Sequence, residues 1–111
     1  MMPLNLPTEI FGSVIVVHTP DEMSGEQADQ IGEYLCRLDR KHIVLDLDNT
    51  ELIDSNGLTA LITGQESVRG EGGDLKIATS NHTNRKILEI TRLDQQLEVF
   101  DSVIDAVKSF A

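Results

Sequence analysis

The sequence predicts an α/β fold built on a mixed, mainly parallel β-sheet, and two observations lead to this prediction. Runs of β-branched and aliphatic residues alternate with stretches of helical periodicity along the 111 residues. Near the start, Glu9 to Phe11 and Val14 to His18 flank Gly12-Ser13, which is typical of a tight hairpin. We therefore expect one domain over residues 1–111, with four to five strands, about four α-helices and an antiparallel edge.

The first helix is expected after the loop Thr19-Pro20-Asp21-Glu22, which interrupts the strand pattern. Ser24 and Gln27 have the spacing of a capping box, in which each side chain satisfies a free amide at the helix start. The apolar residues of one helical face follow at Ala28, Ile31, Leu35 and Leu38. A helix from about Gly25 to Leu38 is predicted.

The central strand is predicted at Ile43 to Leu47. This run is aliphatic except for Asp46, as expected of a strand that is buried on both faces. Asp48-Asn49-Thr50 then supplies the turn chemistry that ends it. The strand is followed by a hinge rather than directly by a helix.

The second helix is predicted from about Asn56 to Arg69, since apolar residues recur at Leu58, Leu61 and Ile62. Either Asp54 or Ser55 occupies the N-cap position, so a serine hydroxyl is presented at a helix N-terminus. If Ser55 does nothing more than cap the helix, it contributes about 1 kcal/mol to stability. The glycine-rich segment 70–73 is expected to form a turn.

The rest of the chain continues the alternation. Leu75 to Ala78 is predicted as a strand, Asn84 to Ile90 as a helix and Leu97 to Phe100 as a short last strand. Ser102 is expected to cap a final helix. The residues expected to face inward on that helix are Val103, Ile104 and Val107.

Charge excludes some classes of partner. Nine Lys and Arg residues against nineteen Asp and Glu give a net charge of -10, and residues 1–55 hold 11 acidic and 3 basic residues. Such a surface argues against nucleic acid or an anionic membrane as a partner. No run approaches the ~20 apolar residues of a membrane span, and no targeting signal is evident, so a soluble cytoplasmic protein is expected.

The histidines and the single cysteine give no catalytic or metal-binding pattern. Cys36 directly follows a core leucine and is predicted to be a half-buried structural thiol. His18, His42 and His82 lack the paired spacing of metal ligands, so we predict solvated strand-end or loop positions and no metal site.

One motif gives a more specific prediction. Leu52-Ile53-Asp54-Ser55-Asn56-Gly57-Leu58, preceded by the strand end Asp46-Leu47-Asp48, resembles the phosphoacceptor motif of STAS domains, which include bacterial anti-sigma factor antagonists. The resemblance extends to the opening hairpin, the Gly-Gly-x-Leu entry at Gly72, the run 85–93 and the segment 98–102. It implies that Ser55 is the phosphorylated residue and that Asp54, Asn56, Gly57 and Leu58 form the motif around it. The loop at 19–22 departs from the glycine-centred turn usual in the family.

The resemblance implies a non-enzymatic phosphoswitch that regulates transcription indirectly. Its partner would be a GHKL-type serine kinase that is also the anti-sigma factor, bound when Ser55 is unphosphorylated and released on phosphorylation. No cofactor is implied. The side chains expected to contact the partner are Asp21, Glu22, Met23, Thr50 and Glu51. A STAS module of another assembly, such as a stress-signalling complex or a transporter subunit, is the alternative within the family.

A phosphatase is the alternative outside that family. Val44 to Thr50 also resembles the first motif of haloacid dehalogenase phosphatases, in which Asp46 would be the nucleophile and Asp48 the general acid beside magnesium. The chain continues for 61 residues after Thr50, which is short for the remaining core of such an enzyme, and no later acidic pair completes a metal site. We therefore expect no catalytic residues.

Overall fold

A computed structural model describes residues 5–111, so the first four positions of the predicted domain lie outside the described residues. The strands are β1 (Thr8–Phe11), β2 (Val14–His18), β3 (Glu22–Met23), β4 (His42–Asp46), β5 (Leu52–Ile53), β6 (Asp74–Ala78) and β7 (Val99–Phe100). The helices are α1 (Gly25–Arg37), α2 (Ser55–Gly70), α3 (His82–Ile90) and α4 (Val103–Lys108), with a 3-10 helix at Leu93–Gln95. None of the described helices is long and apolar enough to cross a bilayer.

The predicted fold class is confirmed. Five strands form one sheet in the order β1-β2-β4-β6-β7, in which β1 is antiparallel to β2 and the other neighbours are parallel. The hairpin turn between β1 and β2 places Gly12 at φ 60°, a left-handed conformation that glycine adopts without strain. The predicted bounds of the first two helices agree with the structure to within one residue.

Strand alternation divides the core between the two faces of the sheet. Ile15 and Val17 of β2 face the layer of α1, α2 and α3 and belong to the larger apolar cluster. Val14 and Val16 point to the opposite face, where the smaller cluster includes Ala106 of α4. Three helices thus cover one face and a single short helix covers the other.

A two-stranded parallel sheet of β3 and β5 was missed by the sequence analysis. Its register pairs Glu22 with Leu52 and Met23 with Ile53. Each strand is two residues long, which is too short to show a period of two in the sequence. This small sheet joins the loop after β2 to the segment that leads into α2.

The predicted capping box at α1 is wrong. Ser24 occupies the N-cap position, but its side chain makes no capping hydrogen bond and instead lies 3.4 Å from a Glu22 carboxylate oxygen. The Gly25 N–H donates to the Asp54 carboxylate at 3.0 Å. A side chain from the next helix therefore satisfies the amide at the start of α1.

Two predicted burials are also wrong. Ile104 is 57% exposed, whereas Ala106 is buried and Val103 is half-buried. Cys36 is exposed because it lies about 100° around α1 from Leu35, which belongs to the buried stripe. In both cases one position along a helix was enough to rotate the side chain out of the core.

The histidines are less uniformly solvated than predicted. His82 is exposed at the start of α3. His42 is half-buried, with its ring stacked on Phe110 at a centroid distance of 4.8 Å and its Nδ1 3.0 Å from the Ser13 hydroxyl. His18 is half-buried between two carboxylates.

Candidate functional site

Ser55 is the first residue of α2 and is exposed. Thr59, one turn further along α2, donates a hydrogen bond from its Oγ1 to the Ser55 backbone carbonyl at 2.9 Å. The next residue of the motif, Asn56, is also exposed. Both side chains therefore stand at the positive end of a 16-residue helix, on the surface.

Asp54, and not Ser55, is the N-cap of α2. Its backbone is extended, with φ -99° and ψ -173°, and its Oδ1 accepts a hydrogen bond from the Gly57 N–H at 2.9 Å. Its Oδ2 accepts the Gly25 N–H, so one carboxylate serves the starts of both α1 and α2. Hydrogen bonds from Gly57 and then from Gly25 lower the pKa of Asp54 below its ordinary value. The capping alternative that named Ser55 is wrong, and its hydroxyl is not committed to the cap.

Gly57 has a packing role that the motif alone did not reveal. A Cβ built at this position would overlap the Met23 carbonyl oxygen and would lie 2.8 Å from Cγ2 of Ile53. The first turn of α2 therefore packs directly against the backbone of β3. Leu58, the next residue, is half-buried against the main apolar cluster.

The small sheet of β3 and β5 determines what surrounds Ser55. The N–H groups of Glu51 and Leu52 both donate to the Asp21 carbonyl, at 2.8 and 3.2 Å. The Asp54 N–H donates to the Met23 carbonyl at 3.2 Å. The loop after β2 and the entry to α2 are thereby brought side by side. We call the exposed acidic residues of these two segments the acidic rim: Asp21, Glu22 and Glu51.

Two of the side chains expected to contact a partner are inside the protein. Met23 is fully buried in the main core, and Thr50 is also fully buried. Thr50 Oγ1 donates to the Pro20 carbonyl at 2.6 Å and shares a hydrogen bond with Thr19 Oγ1 at 2.5 Å. Both predictions of surface contact are therefore wrong. These residues lie beneath the surface, where the loop after β2 packs against the segment that leads into α2.

Asn84 of α3 is a further supporting residue that the sequence analysis missed. It is 1% exposed, and its Nδ2 donates to the carbonyls of Leu47 and Thr50 at 3.0 and 2.9 Å. The carboxyl ends of parallel strands meet at one edge of the sheet, so polar residues after β2, β4 and β6 could have been expected to interact. That topology was available from the sequence, but the pairing of individual side chains was not.

A shallow apolar groove borders Ser55, between α2 and the segment after α3. Its lining residues are Ser55, Leu58, Thr59, Ile62, Thr91 and Leu93. The exposed serine therefore lies at the edge of this groove, and it follows the segment that carries Glu51 of the acidic rim.

The Asp46 and Asp48 carboxylates bind different partners and do not converge on a shared site. Asp46 Oδ2 lies 2.9 Å from His18 Nδ1, and its Oδ1 accepts the Asp48 N–H at 3.0 Å. The Asp48 side chain accepts the N–H and hydroxyl of Ser80 at 2.6 and 3.2 Å. Within residues 5–111, no group of three or more His, Cys, Asp or Glu side chains is arranged to hold a metal ion.

Comparison with protein families identifies the architecture. The model of the STAS domain matches residues 5–106, which is nearly the whole chain. The chain belongs to the STAS domain family. The matched residues of this STAS domain include the opening hairpin, the phosphoacceptor-like motif and the later strands.

The relatives of this STAS domain include named regulators. It is 24% identical over 110 residues to an anti-sigma F factor antagonist of Paenibacillus polymyxa, covering 96% of this chain and 94% of the relative. Among solved structures, an anti-sigma factor antagonist from Mycobacterium paratuberculosis superposes with a TM-score of 0.83 at 21% identity, covering 95% and 92% of the two chains. The phosphorylated form of the Bacillus cell fate determinant SpoIIAA gives a TM-score of 0.71 at 13% identity, covering 96% and 100%.

Proposed function

We propose that this STAS domain is an anti-sigma factor antagonist that works as a phosphoswitch. In the unphosphorylated state it binds a GHKL-type serine kinase that is also the anti-sigma factor, and phosphorylation of Ser55 by that kinase releases it. Transcription is then regulated indirectly, through the sigma factor that the kinase controls. The relatives named as anti-sigma factor antagonists support the general role, and the phosphorylated form of a structural neighbour supports the modification.

The observation that carries the proposal is that Asp54, and not Ser55, caps α2. Asp54 caps α2, and Ser55 is left exposed beside it. A kinase can therefore reach the hydroxyl without first breaking a helix cap. The positive end of the helix also favours an added phosphate by about 0.3 to 1 kcal/mol.

Phosphorylation of Ser55 should change the charge that the domain presents to a partner, and it should not unfold the domain. A phosphoryl group adds a charge of about -1.5 to -2. It would stand near the Asp54 carboxylate and the acidic rim, which already make this region negative. A partner that covers Ser55 would have to desolvate the new charge without a matching group, at a cost of about 2 to 5 kcal/mol.

The chemistry around Ser55 also suggests what the partner presents. The apolar groove supplies Leu58, Ile62 and Leu93 for burial, and the acidic rim favours cationic side chains opposite Asp21, Glu22 and Glu51. The kinase supplies ATP and magnesium, so the proposal requires no cofactor on this chain and no reaction catalysed by it.

The proposal is tested by phosphorylation with a purified candidate kinase and ATP, followed by phosphopeptide mapping. We expect a single modification at Ser55, which Ser55→Ala abolishes. Ser24→Ala is the matched control, because Ser24 also stands at a helix start and makes no capping hydrogen bond with its side chain. Equal labelling of Ser55→Ala and wild type would show that another residue is the acceptor.

A further inference from the structure

Glu9, His18 and Asp46 form a chain of side-chain contacts across three strands. Nε2 of His18 lies 2.7 Å from Glu9 Oε1, and Nδ1 lies 2.9 Å from Asp46 Oδ2. The sheet register explains the arrangement, because Glu9 is opposite Val16 and His18 is opposite Asp46. All three side chains therefore lie on the sheet face that α4 partly covers.

Both ring nitrogens of His18 face carboxylate oxygens, and an ionised carboxylate can only accept hydrogen bonds. Two N–H donors are therefore needed to satisfy both contacts. The imidazolium has two, whereas the neutral imidazole has one. When the proton is lost, one nitrogen lone pair must face a carboxylate, and that contact becomes repulsive.

The contact with Glu9 is the one expected to open. The Glu9 side chain is 55% exposed on an edge strand, so water can replace its donor. The Asp46 side chain is 12% exposed, and its second oxygen accepts the Asp48 N–H. The remaining proton should stay on Nδ1, between His18 and Asp46, because Asp46 is the carboxylate that water reaches less easily.

Glu9 and Asp46 are the charged side chains that face His18 from the neighbouring strands. Pro7 and Ala78 complete the same row of the sheet without charge. On this face, α4 contributes Ala106, and the ammonium of Lys76 is directed to Ser109. Burial alone would lower the pKa of His18, but hydrogen bonds and attraction from Glu9 and Asp46 outweigh it, so the pKa is raised above 6.5.

We propose that Glu9, His18 and Asp46 form a proton-controlled latch on the edge hairpin of the sheet. With the imidazolium, the latch ties β1 across β2 to β4. Loss of the proton frees Glu9 and loosens β1, whose Ile10 and Phe11 are 52% and 40% exposed. Because the folded-state pKa is raised, the latch is complete below the ordinary value of 6.5 and is lost as pH rises through the higher folded value.

Amide hydrogen exchange can follow the latch. The His18 N–H donates to the Pro7 carbonyl at 2.9 Å, so the antiparallel pattern directs the N–H groups of Glu9 and Phe11 towards β2. Opening of β1 exposes these two amides. The amide of Ile77, which donates to the Glu98 carbonyl, reports on the opposite edge of the sheet.

The experiment measures these amide exchange rates by NMR, divides them by the intrinsic rate at each pH, and follows the titration of the His18 ring in the same samples. The opening of Glu9 and Phe11 should rise about three- to tenfold as His18 loses its proton, while Ile77 stays constant. In Glu9→Gln the rise should vanish, since a carboxamide can accept from the imidazolium and donate to the neutral ring.

The control Glu66→Gln removes one exposed negative charge from α2 and should keep the wild-type pH dependence. The latch is refuted if the opening of Glu9 stays constant through the His18 titration in the wild type. It is equally refuted if Ile77 opens in parallel, which would indicate a global loss of stability, or if Glu9→Gln keeps the full rise.

Discussion

Asp54 and Gly25 connect the starts of two helices: the Gly25 N–H at the beginning of α1 donates to Asp54 Oδ2 at 3.0 Å. The other oxygen of this carboxylate caps α2 through Gly57. A single side chain therefore links the starts of the two helices. Ser55 follows it directly, so the position of the exposed hydroxyl depends on both hydrogen bonds.

Replacement of Asp54 should separate these two contacts. Asparagine retains one acceptor oxygen and can keep only one of the bonds, whereas alanine loses both. We expect Asp54→Ala to lower Tm by about 5 °C and Asp54→Asn by about half as much, measured by thermal unfolding at pH 7. The control Asp29→Asn, which removes an exposed carboxylate elsewhere on α1, should leave Tm unchanged. Equal Tm values for Asp54→Asn and wild type would show that the bond to Gly25 does not stabilise the fold.

Thermal stability should also depend on pH, because the Asp54 carboxylate becomes protonated in acid. Its pKa is lowered in the folded state, so its contribution is present above the ordinary value of 3.8 and is lost as pH falls through the lower folded value. The Tm difference between wild type and Asp54→Asn should therefore shrink as the pH falls below 3.8 and through the lower folded value. A Tm difference that stays constant from neutral pH through the acid unfolding range would contradict the assignment.

Gly57→Ala should be strongly destabilising because the added methyl group has no space between the first turn of α2 and β3. We expect a loss of about 3 kcal/mol in the free energy of unfolding, measured by urea denaturation. Gly70→Ala is the matched control at the other end of the helix, where a Cβ would meet nothing within 4 Å. Its effect should be within about 0.5 kcal/mol of wild type or slightly stabilising. Similar losses for both variants would mean that the contact with Met23 is not the cause.

The phosphatase alternative predicts a reaction that we expect to be absent. With magnesium and p-nitrophenyl phosphate, the wild type should give no turnover above background, because Asp46 is held by His18 and by the Asp48 N–H. Asp46→Asn and Asp48→Asn are measured beside it. Reproducible magnesium-dependent hydrolysis that disappears in Asp46→Asn would establish an enzyme instead.

Much of the fold followed from patterns that the sequence displays directly. The continuous aliphatic run of β4 predicted a strand buried on both faces, and the spacing of Ala28, Ile31 and Leu35 predicted α1 because burial on one face of a helix imposes a period. The short strands β3 and β5 carry no such period. Cys36 and Ile104 were misassigned because a rotation of one helical position separates core from solvent.

The candidate site was predictable in position but not in its internal contacts. The motif indicated an exposed serine at a helix start, and the structure has Ser55 there. Whether Asp54 or Ser55 formed the cap was left open, since both residue types are good caps. In the structure Asp54 is the cap, because its Oδ1 accepts the Gly57 N–H. The second bond of this carboxylate goes to Gly25, which lies 29 residues away in the sequence and could not be predicted. The burial of Met23 and Thr50 likewise depended on the pairing of two loops.

The Ser55 hydroxyl should contribute little to the free energy of unfolding. Because Asp54 provides the cap, Ser55→Ala and Ser55→Asp should both lie within about 0.5 kcal/mol of wild type in urea denaturation. A loss near the ~1 kcal/mol expected for a missing N-cap would mean that the Ser55 hydroxyl takes part in capping after all.

The most direct test of the switch is the affinity of the candidate kinase for this domain with and without a phosphate on Ser55. The phosphorylated protein should bind about 30-fold to several thousandfold more weakly than the unmodified protein. Ser55→Ala should bind as the unmodified protein does, and Ser55→Asp, with about half the charge of phosphoserine, should bind about 5- to 150-fold more weakly. Equal affinity of the phosphorylated and unphosphorylated proteins for the kinase would contradict the switch, whatever the extent of modification at Ser55.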